Sequence, residues 1–452
     1  MEESFHFTAA GLVSLFVLIV FILKARGNIF VLLGAPLFYI LITFYNFFGS
    51  YNTVEFTLKD NTILLVSFST FLFCYGVGKR HSINRLSDKL LAFSQRRNTS
   101  GENLATKKAV WGFFFLCVFY VIIDLVVNSL IYGSFERALL RFYSMDLEDF
   151  SYATYRNYLS VLFQLMGALV FVFRFFDTIY YRKSRLLLIC VVLLMLVAIP
   201  RGSRGAVMWP GLMLVFADIF AKRFYNISIK SSLKQYAILG SGIVISFFFL
   251  TAIRSIQFGS FDDLVEVSKF FSIKDAAEGY AEREGELMIH DTKVVFDRFG
   301  NDVEFLPITY TASSILISWI PRSFYPEKPV SFGLMIHALK ENSDIPKIAT
   351  RPYELYYPGS IDWASGLAGE GWANGSWAGV ILYAAVMGLF AGICSKLFFL
   401  LIVSSNYLNV IFAMQFFNMS WCFIRGSLQS QITPAIYMFL FSLVIVKILF
   451  RK

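Results

Sequence analysis

The sequence predicts an all-α polytopic integral membrane protein, and three observations lead to this prediction. Hydrophobic residues make up 57% of the 452-residue chain, 51 of them Phe, and the mean hydropathy is +0.62. Such a composition exceeds what a soluble core can bury. Apolar runs of about 20 residues, which as helices cross a hydrocarbon core of about 30 Å, recur along the chain. Lys and Arg accumulate in alternate loops between these runs, as they do when helices cross a bilayer repeatedly.

About eleven transmembrane helices are predicted, of which the sixth and seventh are short. The first is preceded by Glu2 and Glu3 instead of a basic segment, and no small-residue cleavage site follows it. We therefore interpret it as a retained helix and not as a signal peptide. The approximate cores of the spans are residues 8–23, 29–48, 62–78, 109–130, 158–179, 185–199, 205–221, 235–253, 376–401, 407–424 and 434–449.

The positions of the loop cations orient the chain in the membrane. Residues 79–108 carry eight cations against two anions, and residues 222–234 carry four cations and no anion. Because cytoplasmic loops retain Lys and Arg, both segments are predicted to be cytoplasmic. With eleven spans, the amino terminus then lies outside and the carboxyl terminus lies in the cytoplasm, with membrane lipids around the helices.

A long external loop divides the chain into three predicted parts. Residues 1–253 hold spans one to eight, residues 254–373 form the external loop domain, and residues 374–452 hold the last three spans. The loop carries eighteen anions and eleven cations, although the whole chain is at +9. Long loops usually have structure or function of their own, and we expect amphipathic or re-entrant helices here. Residues 308–320, between two prolines, reach only about 20 Å as a helix and should lie at the interface or re-enter partway.

Five arginines are predicted at the external membrane boundary, where loop cations are normally scarce. Two of them lie in the short hairpin between the sixth and seventh spans, and the others directly follow a span or an apolar stretch. A guanidinium binds phosphate oxygens bidentately and stays charged when partly desolvated. We expect a lipid-linked phosphate or diphosphate as the ligand, the alternative being anchorage to phospholipid headgroups. The five are Arg201, Arg204, Arg254, Arg322 and Arg425.

A second group of candidate residues lies between positions 319 and 377, where four of the seven tryptophans occur. Aromatic faces beside Asn and Asp suit a carbohydrate, which stacks its C–H faces on rings and offers hydroxyls to polar groups. The alternative is an interfacial aromatic belt. The candidate sugar-binding residues are Trp319, Tyr325, Arg351, Tyr353, Asp362, Trp363, Trp372 and Asn374.

Glu370 is the carboxylate that we single out as a candidate base, with His337 as its rival. Glycines on both sides of Glu370 should let a ligand approach the backbone closely. The structural alternative is that Glu370 interacts with the amino-terminal dipole of the ninth span, for which Asn374 would be the cap. The sequence therefore leaves two competing roles for Glu370.

Other ionisable and metal-binding residue types carry less information. The five cysteines lie inside predicted spans and the four histidines are scattered, so we expect neither a disulfide framework nor a metal site, and no cofactor. Asp124 should face a polar interior because a charge in lipid is costly. Asp177 and Asp218 are interpreted as partners of lipid headgroups, and Asp60 in the first external loop as an isolated carboxylate.

Three segments together resemble the Wzy family of bacterial O-antigen and oligosaccharide repeat-unit polymerases. They are Arg-Gly-Ser-Arg-Gly at 201–205, the Pro-rich and aromatic element at 319–329, and Gly-Glu-Gly-Trp-Ala-Asn-Gly at 369–375. The resemblance implies a GT-C-like membrane glycosyltransferase of the bacterial inner membrane, acting in lipopolysaccharide biosynthesis with its amino terminus in the periplasm. Arg351 matches the family's arginine patterns only loosely.

The resemblance also implies a reaction. Undecaprenyl-diphosphate-linked repeat units would be joined at the periplasmic face without a metal, with arginines stabilising the departing diphosphate. Implied partners are these lipid-linked glycans, a chain-length regulator and a flippase of the same pathway. Two other interpretations stay open. An O-antigen ligase needs the same arginines and a base, whereas a lipid-linked oligosaccharide flippase calls for charged residues along a path and two similar halves, neither of which is evident.

Overall fold

The part of the chain that the structure describes is almost entirely helical. The computed structural model describes residues 9–25, 40, 56–80, 107–139, 153–179, 185–199, 204–225, 227–228, 240–242, 290–317, 320, 324–325, 329, 332–340, 365–403, 407–422 and 428–449. Within these ranges the β structure is limited to an isolated bridge between Phe299 and Val303. The helices are α1 (Ala9–Ala25), α2 (Leu58–Arg80), α3 (Lys107–Tyr132), α4 (Phe135–Leu139), α5 (Ala153–Ile179), α6 (Arg185–Ala198), α7 (Arg204–Phe224), α8 (Tyr310–Ile317), α9 (Phe332–Lys340), α10 (Gly366–Ala373), α11 (Ser376–Val403), α12 (Tyr407–Cys422) and α13 (Leu428–Leu449).

Four helices among the described residues are long and apolar enough to cross a membrane, which confirms the predicted class of all-α membrane protein. They correspond to the third, fourth, fifth and ninth predicted spans: Leu58–Arg80, Ala109–Tyr132, Tyr158–Ile179 and Ser376–Ile402. Shorter apolar helices cover Arg185–Ala198 and Ala435–Ile445. The second and eighth predicted spans lie almost wholly outside the described residues, so the total of eleven stays a prediction, as does the GT-C architecture.

The chain folds as two compact units that interleave along the sequence. The first unit comprises Met1–Ser87, Ala281–Leu400 and Phe416–Ile436, and the second comprises Asp88–Tyr280, Leu401–Gln415 and Tyr437–Lys452. The predicted parts 1–253, 254–373 and 374–452 describe membrane sidedness and stay a prediction. Packing groups the chain differently, because most of the loop's described residues belong to the same unit as α2 and most of α11.

In the first unit, α2 and α11 pack in parallel through glycines. A Cβ added at Gly388 would meet the backbone of Phe71, and one added at Gly392 would meet the backbone of Tyr75. The hydroxyl of the same Tyr75 donates to Ser395 Oγ, about one turn beyond Gly392, at 2.9 Å. Two glycines four residues apart let helix backbones approach closely, the small-xxx-small arrangement of membrane helices. The third and ninth predicted spans cross the membrane in the same direction, which this parallel pairing satisfies.

The amino-terminal ends of α2 and α11 join the predicted external loop in one hydrophobic core. Residues 290–298, which are helical, α9 and α10 supply the loop's share of it. Leu306 N donates to Ala373 O at 2.8 Å and attaches the following segment to α10. The described part of the loop therefore packs on the ends of the spans. The core residues are Ile63, Leu64, Val295, Phe296, Phe299, Phe332, Met335, Ile336, Leu339, Ala368, Trp372, Ala373 and Val380.

The apolar stretch predicted at 308–320 contains α8, which has only 8 residues. Its polar Thr311 and Ser314 are buried, whereas Leu316 is 72% exposed. The helix is much shorter than the roughly 20 residues that a crossing requires, in agreement with the prediction that the stretch does not span the membrane. Its apolar outer side suits contact with lipid.

In the second unit, α5 and α7 also pack in parallel. Trp209 Nε1 donates to Gln164 O at 3.4 Å. Later in both helices, Arg174 of α5 pairs with Asp218 of α7 at 2.8 Å. Most of the hydrophobic part of α5 is buried, so α5 is a central helix of this unit. The fifth and seventh predicted spans likewise run in the same direction.

The prediction that Asp218 meets lipid headgroups is wrong. Asp218 is 1% exposed and accepts hydrogen bonds from Arg174, Thr178 and Lys222, the last at 2.7 Å. Asp177 is 3% exposed and equally withdrawn from the surface. A carboxylate near the end of a span can pair with a lipid headgroup or with a cation of a neighbouring helix. The carboxylate of Asp218 pairs with cations on α5 and α7.

The prediction for Asp124 is confirmed. This residue of α3 is 1% exposed, and the Tyr120 hydroxyl lies 3.5 Å from its Oδ1. Tyr120 also donates to Leu159 O at 3.2 Å, which joins α3 to α5. The carboxylate therefore faces the helix bundle, where polar groups replace lipid.

Candidate functional site

The carboxylate of Glu370 joins three helices at the predicted external end of the first unit. Glu370 lies in α10 and is 1% exposed. Thr311 Oγ1 of α8 donates to its Oε1 at 2.8 Å. The backbone N–H of Leu428, the first residue of α13, donates to its Oε2 at 2.8 Å. Both carboxylate oxygens therefore accept hydrogen bonds from the protein itself.

The glycines beside Glu370 admit protein atoms and not a ligand. A Cβ at Gly371 would lie 2.9 Å from Val380 Cα and 3.1 Å from Gly379 O, so α10 packs backbone to backbone against the first turns of α11. A Cβ at Gly369 would meet the side chain of Ser365. The predicted room for a ligand is occupied in the structure.

Asn374 does not cap the ninth span, so this part of the structural alternative is wrong. Asn374 is the C-cap of α10, and its backbone N and Nδ2 both donate to Glu370 O, at 3.1 and 2.7 Å. Gly375 and Ser376 follow with φ of 114° and 59°, a left-handed turn that separates α10 from α11. Beyond this break, the Glu370 carboxylate accepts the backbone N–H of Leu428 at the amino terminus of α13.

Trp372 is packed in the core of the site. It is 3% exposed, its Nε1 donates to Phe299 O at 3.3 Å, and the rings of Phe305 and Trp377 contact it edge-on. Lys59 Nζ lies 4.6 Å from the ring centroid, a cation–π contact. Its role in sugar binding stays a prediction, in a site where protein groups already contact the ring.

The remaining predicted site residues are described in part or not at all. Tyr325 is 38% exposed. Arg204 is the first residue of α7 and His337 lies in α9, and only their backbones are described. The structure therefore brings together Glu370, Trp372 and Asn374 on α10. Outside the described residues lie Arg201, Arg254, Arg322, Arg425, Trp319, Arg351, Tyr353, Asp362 and Trp363.

Asp60, predicted as an isolated carboxylate, is a buried ion-pair partner. It is 2% exposed and lies 2.8 Å from Lys293 Nζ, which also contacts Asp297 at 2.7 Å. Asp60 Oδ2 accepts from Thr57 N at 2.9 Å, and Thr57 Oγ1 accepts from Asp60 N at 3.2 Å. The Thr-x-x-Asp pattern of this capping box is a sequence signal for the start of α2. The partner Lys293 is 233 positions away, and no local pattern indicates it.

The charge of Lys293 is stabilised by its two carboxylates. Burial opposes the ammonium form, but hydrogen bonds to Asp297 and Asp60, with their negative charges, outweigh burial and raise the pKa of Lys293. Within the described residues, no group of three or more His, Cys, Asp or Glu side chains is arranged to hold a metal ion.

Comparison of the chain with models of protein families, with curated proteins and with solved structures finds no match. Its function is therefore inferred from its own residues and their geometry.

Proposed function

We propose that the protein polymerises undecaprenyl-diphosphate-linked oligosaccharide repeat units into an O-antigen-type polysaccharide at the periplasmic face of the bacterial inner membrane. A hydroxyl of the terminal sugar of a new lipid-linked unit attacks the anomeric carbon of the growing chain. The new glycosidic bond forms as the bond from that carbon to the lipid diphosphate breaks. The hydroxyl proton passes to a base, and undecaprenyl diphosphate leaves.

The observation that carries this proposal is the arginine hairpin between two apolar helices. Helix α6 ends at Ala198, α7 begins at Arg204, and the two helices pack against each other. Only five residues, Arg201 among them, connect the two helices in sequence. Negative charge accumulates on the diphosphate as it leaves, and a pair of guanidinium groups in a partly desolvated site stabilises that charge. Arg254, Arg322 and Arg425, predicted on the same side, would bind the rest of the two diphosphates.

The proposed base is Glu370 or His337. Both belong to external-loop helices, α10 and α9, that share the core at the ends of α2 and α11. The proposed sugar-binding residues come from the same loop, so that acceptor sugar and base would lie near each other. Holding donor and acceptor side by side in the membrane plane would supply the orientation that the transfer requires.

Reconstitution of the purified full-length protein with lipid-linked repeat units alone tests the proposal. Wild-type protein should yield products of many lengths, and Arg201→Ala or Arg204→Ala should leave single units while the protein still inserts in the membrane. Arg223→Ala is the matched control, because Arg223 is an exposed cation at the opposite end of α7. A normal length ladder from both variants would rule out the diphosphate role.

The same assay distinguishes the alternatives. Long products formed without a lipid-core acceptor support a polymerase, whereas a single transfer that requires such an acceptor would indicate an O-antigen ligase. Movement of lipid-linked units across the bilayer without bond formation would indicate a flippase.

A further inference from the structure

The short helix α8 connects two hydrophobic clusters of the first unit. Its first residue, Tyr310, packs against the core that the loop shares with the ends of α2 and α11, which we call the loop core. Ile315, five residues later, packs against a second cluster, which we call the span cluster. The chain therefore passes from the first cluster to the second within α8. The buried residues of the span cluster are Ile40, Phe68, Phe71, Tyr75, Leu367, Tyr383, Ala384, Ala391 and Leu428.

The span cluster lies further along the membrane-spanning helices than the loop core does. In α2, Ile63 and Leu64 belong to the loop core, and the span cluster begins at Phe68. In α11, Val380 belongs to the loop core, and the span cluster begins at Tyr383. Both helices are long and apolar enough to cross a membrane. A segment that passes from the loop core to the span cluster therefore moves in the direction in which α2 and α11 cross.

After α8 the chain returns to the loop core. Phe332, Met335 and Ile336 of α9 are members of that core. The stretch from Tyr310 to Phe332 thus has both ends at the loop core and reaches the span cluster between them. Helix α8 has 8 residues and is about 12 Å long, less than one leaflet of a hydrocarbon core of about 30 Å. This path is that of a re-entrant segment, which enters a membrane and leaves it on the same side.

Helix α8 has a polar inner face and an apolar outer face. On the inner face, Thr311 and Ser314 are each 2% exposed. Thr311 Oγ1 donates to Glu370 Oε1 and Ser314 Oγ donates to Thr311 O, both at 2.8 Å, so these hydroxyls are satisfied by protein, as a position without water requires. On the outer face, Ala312 and Leu316 lie one turn apart and are exposed.

We propose that α8 is a re-entrant helix whose outer face contacts phospholipid acyl chains in the leaflet on the side of the loop. Leu316 is 72% exposed, and an apolar side chain at the depth of the span cluster meets hydrocarbon instead of water. The start of α11, to which the Tyr383 hydroxyl joins Ile308 O, also exposes Trp377 and Ile381, as a lipid-facing surface would. The inference depends on the membrane-protein class and not on the proposed function.

This placement also bears on the candidate base. Thr311 lies about one helical turn before Ile315 and donates to the Glu370 carboxylate. The carboxylate therefore lies near the level at which α8 enters the leaflet. Lipid-linked substrates hold their diphosphates at the membrane boundary, so a re-entrant α8 would bring the carboxylate close to them.

The depth of α8 can be measured with nitroxide spin labels attached to Ala312→Cys and Leu316→Cys, one at a time. The full-length protein, with its five native cysteines replaced by alanine, is reconstituted in vesicles of phosphatidylethanolamine and phosphatidylglycerol. Depth is obtained from collisions of the label with O2, which concentrates in hydrocarbon, and with a nickel chelate, which stays in water. A helix that enters the leaflet should place the label at position 316 deeper than the label at 312, by up to about 6 Å.

Two reference positions calibrate the measurement. Phe119→Cys is the hydrocarbon reference, because Phe119 is 59% exposed in the middle of α3. Glu304→Cys is the water reference, because Glu304 is exposed in the loop. The label at 316 should collide with O2 as the label at 119 does, and should lose most of the nickel collisions measured at 304. Equal depths at 312 and 316 would indicate a helix lying flat on the membrane. Nickel collisions at 316 as frequent as at 304 would place the helix in water, and exclusion of both reagents would mean that protein covers it. Each of these three results would overturn the proposal.

A second measurement keeps the native cysteines. Leu316→Gln and Leu58→Gln are compared by their unfolding midpoints in the same lipids. Leu58, 86% exposed at the first residue of α2, is the matched control. A polar side chain without a partner is costly in hydrocarbon and not in water. Leu316→Gln should therefore lower the midpoint or prevent folding, whereas Leu58→Gln should leave the midpoint unchanged. A midpoint of Leu316→Gln equal to that of the wild-type protein would contradict contact with acyl chains.

Discussion

Replacing Gly78 with Ala should push α2 away from α11. An ideal Cβ at Gly78 would lie 3.0 Å from both the Cα and the carbonyl carbon of Leu389, and closer still to its oxygen. Carbon atoms in good contact lie about 3.5–4.0 Å apart. The obstacle is backbone and not a flexible side chain, so one helix has to shift by about 0.5–1 Å to accept a single methyl group.

The magnitude can be isolated with a neighbouring glycine. Overpacking of this kind costs about 1–3 kcal/mol, while Ala in place of Gly inside a helix contributes about 1 kcal/mol of stability. Gly76 lies on the same helix, and a Cβ there would meet nothing within 4 Å. Gly76→Ala should therefore gain the stability that the higher helix propensity of Ala provides, without an overpacking cost. The difference between the two variants should be the overpacking cost, about 1–3 kcal/mol in favour of Gly76→Ala.

The assay is equilibrium unfolding of the purified protein in mixed micelles by increasing fractions of a denaturing detergent, followed by tryptophan fluorescence. Gly76→Ala should be the most stable of the three proteins. Gly78→Ala should be less stable than wild type, or at most as stable as wild type. Equal midpoints for Gly76→Ala and Gly78→Ala would refute the close parallel packing of α2 and α11 through their glycines.

Two further predictions concern the buried charges. Because the pKa of Lys293 is raised, its contribution to stability is complete below the ordinary lysine pKa of about 10.4 and is lost as the pH rises through the higher pKa of the folded state. The unfolding midpoint of the wild-type protein should therefore fall over this alkaline range, and that of Lys293→Met should not show this fall. Asp218→Asn leaves Arg174 and Lys222 without their carboxylate and should destabilise the second unit by about 3–5 kcal/mol. Asp297→Asn, whose side chain is 54% exposed, is the control and should change stability by about 1 kcal/mol at most. A loss for Asp218→Asn no larger than this would contradict the buried network.

The positions of the membrane-spanning helices could be predicted from the sequence. The predicted spans 62–78, 109–130, 158–179 and 376–401 each fall within a helix long enough to cross a membrane. A chain in hydrocarbon must satisfy its backbone polar groups within the segment, so length and hydropathy suffice to find such helices. Pro307 and Pro321 likewise set an upper limit on the length of α8, which has eight residues.

The roles of individual polar residues were less readable. Asp218 was assigned to lipid headgroups and Asn374 to the cap of the ninth span, and both assignments were wrong. Asp218 pairs with Arg174, 44 positions away on another helix, as well as with Lys222 of its own helix. Asn374 ends α10, because the left-handed turn at Gly375 and Ser376 separates it from the ninth span.

The sequence by itself determined that this is an all-helical membrane protein with arginines clustered near predicted span ends, because hydropathy and charge act on each segment separately. Only the tertiary structure decided where Glu370 and Asp60 act. Their partners, Leu428 and Lys293, lie 58 and 233 positions away. A buried carboxylate requires a donor or a cation, and which distant group provides it is set by the packing of helices that are not adjacent in sequence.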